Sequence, residues 1–96
     1  MREYDENTFA PLKAALDGLE DILRYKNRQY GNSGLEPIGV FSKTSTLDKL
    51  LARADDKVAR IRNSEELRKN DVADLMGYLV LICAHQGWTD FSEQKD

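Results

Sequence analysis

Asp71, Asp74, Tyr78 and His85 fall within about 60° of one another if residues 71–86 are helical, at roughly 100° per residue. Carboxylates on a helix that packs into a core are costly unless they are paired or bind a cation. Arg53, Asp56, Lys57 and Arg60 share one face of the preceding helical segment, about 120° from the centre of its apolar stripe, and Lys26 lies near the end of the first. Lys26, Arg53, Lys57 and Arg60 set against Asp56, Asp71 and Asp74 leave one positive charge over, a balance that suits a bound phosphate. Tyr30 and Tyr78 supply rings for stacking on a base and hydroxyls for hydrogen bonds. The blander reading of the same residues is a structural salt-bridge seam between two antiparallel helices. Other chemistries find little support. Cys83 lies about 160° from His85, the only histidine, which rules against a Cys-His pair and leaves His85 as a satisfied core residue. Gly31-Asn32-Ser33-Gly34 lacks the lysine and the strand-helix setting of a phosphate loop.

Three helical segments must position these groups. Phe9, Leu12, Leu16, Leu19 and Leu23 recur at steps of three and four, with Ile22 beside them, so residues 8–29 read as a helix beginning near Pro11 and ending near Gly31. The same steps continue to Lys26 and Tyr30, which places both on the core-facing side. Residues 31–44 carry Gly31, Gly34, Pro37 and Gly39 without a period and read as a long ordered loop, pinned by Ile38, Val40 and Phe41. Ser45 and Asp48 have capping-box spacing and predict the start of a second helix with core stripe Leu47, Leu50, Leu51, Ala54, Val58 and Ile61. Residues 64–67 are a short turn or the first turn of the last helix, whose cap is Asn70 or Ser64 and whose stop is Gly87. Val72, Leu75, Met76, Leu79, Val80, Ile82 and Cys83 surround most of that helix, which therefore reads as the buried centre. Gly77, in line with Ala73 and Ala84, reads as a packing contact.

The whole is expected to be one all-α domain over residues 1–96, a small bundle of three to four helices with frayed ends at about 1–6 and 91–96. An apolar share of 41% supports a core, while 32% charged residues and a mean hydropathy of −0.61 call for a wet outer face. Fourteen Lys and Arg against seventeen Asp and Glu give a net charge of −3, with no global field for a nucleic-acid duplex. No apolar run approaches the roughly 20 residues of a membrane span. The charged first residues do not read as a secretion signal, and a single cysteine suits a reducing, cytoplasmic setting. A chain this short gains from oligomerisation, so a homo-oligomer is expected.

Three blocks of the sequence, Lys26-Asn27-Arg28-Gln29-Tyr30-Gly31, Arg53-Ala54-Asp55-Asp56-Lys57-Val58-Ala59-Arg60-Ile61, and Asp71 with Asp74-Leu75-Met76-Gly77-Tyr78, resemble the nucleotide modification associated domain family of bacteriophages. The resemblance runs from about Lys26 to Ala84. It implies a phage protein acting in the host cytoplasm on altered or modified nucleotides. The last helix is also distantly similar to the second metal-binding helix of all-alpha nucleotide pyrophosphohydrolases, with Asp71-x-x-Asp74 in place of Glu-x-x-Asp. Those enzymes hold magnesium with a further Glu-Glu-x-x-Glu cluster, where this chain has Asp55, Asp56, Lys57 and Arg60. Lysine and arginine at that position oppose Mg²⁺, which is held by carboxylates, water and substrate phosphate.

The resulting expectation is a nucleotide or cyclic-nucleotide binder without turnover, using Lys26, Tyr30, Gly31, Arg53, Asp56, Lys57, Arg60, Asp71, Asp74 and Tyr78 and no cofactor. The alternatives are a Mg-dependent nucleotide pyrophosphohydrolase using Asp56, Asp71 and Asp74, and a protein-interaction module whose charged seam is structural.

Overall fold

The computed structural model describes residues 6–30 and 45–94, without the Tyr30 side chain. Gly31 and the expected loop at 31–44, with its anchors Ile38, Val40 and Phe41, lie outside the described residues. The fold is all-α: α1 (Glu6–Tyr30), α2 (Thr46–Asn63) and α3 (Lys69–Gln86), with no strand among the described residues. No helix among them is long and apolar enough to cross a membrane.

Local chemistry sets most boundaries. The Ser45 hydroxyl oxygen accepts from the Asp48 N–H at 3.1 Å, so the predicted cap opens α2. At the far end of α3, Gly87 takes the left-handed conformation at φ 75°. Its N–H donates to the Ala84 carbonyl at 3.2 Å and the Trp88 N–H to the Cys83 carbonyl at 2.8 Å, the paired closure of a Schellman end. Ser64 does not open the last helix as expected but closes α2: its N–H and its hydroxyl both donate to the Arg60 carbonyl, at 3.0 and 2.6 Å. Neither Ser64 nor Asn70 caps α3; Arg68 occupies that position without a side-chain cap bond. Pro11 lies inside α1, five residues beyond its start, where sequence placed it at the beginning. The donor that proline lacks would serve the Asn7 carbonyl, in an exposed opening turn that water reaches.

Five residues join α2 to α3, and the two helices lie side by side as an antiparallel hairpin. The side of α2 facing α3 is Leu47, Leu50, Ala54, Lys57 and Ile61, a strict alternation of three and four in which Leu50 and Ala54 are buried and the others half-buried. Leu51 and Val58, expected in the stripe, are exposed, and Lys57, expected 120° away, takes a place within it.

The last helix touches both others and is the central element, but it is not buried all round. Asp71 and Gly77 are its only buried members, while Met76, Leu79 and Val80 are exposed on the side away from α1 and α2. His85 is exposed too, its Nδ1 3.1 Å from Gln86 Oε1, and is not the core residue expected. The first helix meets α3 through its C-terminal half, where Leu19 and Leu23 are half-buried. Its 25 residues span about 37 Å against about 27 Å for the 18 of α3, so its N-terminal half overhangs. Phe9, Leu12 and Leu16, which continue the stripe there, are exposed.

Candidate functional site

The charged residues gather where the three helices meet. Every third or fourth residue of α1 from Phe9 faces α3, and that register carries Lys26 to the mouth of the hairpin. The Lys26 Nζ lies 3.2 Å from Asp74 Oδ1, and the Lys57 Nζ lies 3.0 Å from Asp74 Oδ2. One carboxylate thus receives two ammonium groups, one per oxygen. Lys57 and Asp74 keep only 12% and 17% of their side-chain surface, whereas Lys26 is about half exposed. Burial alone would raise the Asp74 carboxyl, but the hydrogen bonds from Lys57 and Lys26, with their charges, outweigh it and hold the group below the ordinary aspartate value. The triad retains one net positive charge. Tyr78, one turn along α3 from Asp74 on the same face, is half-buried.

A second group lies at the turn between α2 and α3. Asp56, Ala59, Arg60, Asn63, Ser64 and Arg68 line a shallow open groove of about 430 Å³. Arg60 Nε reaches back to Asp56 Oδ2 at 3.3 Å, an exposed pair one turn apart on α2. Arg68 Nε stands 3.9 Å from Asp71 Oδ2, too far for a hydrogen bond. Asp71 is 1% exposed, and its Oδ2 has no hydrogen-bond partner. Its place in the first turn of α3 sets that charge at the positive end of the helix dipole, which offsets part of the burial cost.

The ten expected site residues therefore divide. Lys26, Lys57 and Asp74 come together, and Tyr78 shares their face of α3. Asp56 and Arg60 form the neighbouring groove, with Asp71 reached through Arg68. Arg53 stands one turn before Lys57, exposed and without an ion pair. The expected pairing of Asp74 with all three of Arg53, Lys57 and Arg60 holds for Lys57 alone, because Asp56 engages Arg60 on its own helix. Arg68 was missed. The signal for it was present, since a cation three residues before a carboxylate at a helix start is within reach of it.

Chemically, the arrangement suits binding an anion beside Lys26 and Lys57 better than holding a divalent cation. Among the described residues no three His, Cys, Asp or Glu side chains gather as a metal site, and Asp74 is occupied by two lysines. No protein-family model matches the chain, and no curated protein or solved structure is significantly similar to it.

Proposed function

We propose that this chain binds a phosphorylated nucleotide, linear or cyclic, and holds it without turnover. The observation that carries the reading is the convergence of Lys26 and Lys57 on the single carboxylate of Asp74, which leaves a charge for an incoming phosphate. Arg53, exposed on the same helix as Lys57, and Arg60 and Arg68 at the adjacent groove extend the positive surface. Tyr78 supplies a ring beside the triad, and Tyr30 belongs to the same site by register on α1. Gly31 joins it through the resemblance of residues 26–31 to the phage nucleotide-modification family. That resemblance also supports a role in the host cytoplasm, sequestering a signalling nucleotide or escorting a modified deoxynucleotide.

The test is a thermal-shift screen of the full chain against linear and cyclic nucleotides, with and without Mg²⁺. A ligand at 100 times its Kd stabilises by about 2.7 kcal/mol, which moves the melting temperature of a domain this size by ten degrees or more. Any hit is then titrated calorimetrically against Lys26→Ala and Arg60→Ala, at two exposed cations whose loss spares the core. Undiminished affinity in both variants removes the reading. Release of pyrophosphate in Mg²⁺, lost in Asp71→Asn, replaces it with the hydrolase. No binding of any nucleotide, with a specific protein partner in a pull-down, replaces it with the interaction module.

A further inference from the structure

We infer that a second copy of this chain covers the apolar surface of α1 and α3, with the N-terminal stripe of α1 from each copy lying on the outer side of α3 in the other. The stripe is Phe9, Leu12 and Leu16, the last two 58% exposed, and the platform is Met76, Leu79 and Val80, with Leu79 49% exposed. Single exposed apolar side chains are ordinary on a protein surface, but two ordered groups of large ones mark a site of association.

Two global quantities favour a protein partner of this size. The chain exposes 8521 Å². A compact monomer of 11.0 kDa exposes about 5,600 Å². The surplus of about 2,900 Å² is more than three times the roughly 800 Å² that each partner contributes to an ordinary specific interface. The radius of gyration is 15.8 Å, against about 12.5 Å for a compact domain of this length. Leu50 and Ala54 are the only buried apolar side chains among the described residues, in a chain that is 41% apolar. The inner packing is therefore short of what so apolar a sequence can bury, and the missing part lies on two surfaces.

Those two surfaces select the occupant. A two-fold axis requires that a patch i on one copy meet a patch j on the other while j meets i. One stripe and one platform per chain meet that condition, and both pairings form at once. The stripe continues the Leu19 and Leu23 series that already packs on α3 within the chain, so the same side chains at the same spacing would grip α3 of the second copy.

Sedimentation velocity and light scattering on the full chain test this. The expected mass is twice 11.0 kDa, about 22 kDa, or an even multiple of the single chain. Leu12→Glu/Leu16→Glu and, separately, Leu79→Glu are each expected to give the single-chain mass with helical circular dichroism retained, because all three positions are exposed within one copy. A wild-type mass of 11 kDa at every concentration overturns the inference, whether residues 31–44, a membrane surface or another protein covers the face instead. So does an odd oligomer, or a folded variant of either kind that keeps the wild-type mass. The wild-type mass decides the matter even if a variant fails to fold.

Discussion

The Leu23 Cδ2 atom lies 3.6 Å from the point that a Cβ on Gly77 would occupy, so α1 approaches the middle of α3 to ordinary van der Waals distance and no closer. Gly77 is buried, but an alanine methyl fits beneath Leu23. Glycine in a helix interior costs about 0.8–1.0 kcal/mol relative to alanine. Gly77→Ala is expected to raise stability by about that amount and the melting temperature by about 4–8 °C. A lower melting temperature than wild type would show that α1 sits deeper on α3 than this distance allows.

Asp74→Ala is expected to harm the fold far more than Asp55→Ala. Asp55 is exposed on α2, where substitutions usually stay within about 0.5 kcal/mol. Losing Asp74 leaves the Lys57 ammonium, 12% exposed, without its carboxylate. Breaking a buried pair costs about 3–5 kcal/mol, and the partial exposure of this one sets the expectation near the lower figure. Urea denaturation of the two variants measures the difference; equal midpoints contradict the pairing. For the same reason Lys57→Ala loses stability as well as charge, so Lys26 and Arg60 are the cleaner positions for testing ligand binding.

The depressed Asp74 carboxyl gives the fold a definite acid limb. A group whose pKa is lower folded than unfolded stabilises the fold above its unfolded value and loses that contribution as pH falls through its folded value. The unfolded value for aspartate is about 3.9, so the Asp74 share is present above about pH 4 and drains below it. Asp74→Asn is expected to be less stable than wild type at neutral pH and to approach it as pH drops below 4. Denaturant midpoints for both proteins across this range check it; a constant gap would assign the acid sensitivity elsewhere.

Three elements and most of their ends could be read from residue types, for reasons visible at Ser45, whose hydroxyl faces a free N–H, and at Gly87, which alone avoids a Cβ clash at φ 75°. The register of Lys26 was legible as well, because the three-and-four series of α1 runs straight through it. The same series in α2, Leu47-Leu50-Ala54-Lys57-Ile61, contains Lys57, but weighting by hydrophobicity drew the stripe toward Leu51 and Val58 and turned the lysine outward. Choosing by spacing would have placed it opposite Asp74. The apolar circumference of α3 misled in another way. Periodicity reports which side chains avoid water, and Met76, Leu79 and Val80 carry the same signature whether their cover comes from this chain or from another.

The short connection between α2 and α3 bears on the order of events in folding. Their mutual contacts join residues close in sequence, so the hairpin closes a small loop and its pairing forms early. To reach Gly77, α1 must instead close the fifteen-residue stretch between Tyr30 and Thr46, at a greater entropic cost and for a smaller area of contact. The hairpin and α1 are thus separate cooperative units of unequal strength. In native-state hydrogen exchange, the amides of α1 open at lower free energy than those of α2 and α3, and the salt bridge from Lys26 to Asp74 breaks with them while Lys57 keeps its hold.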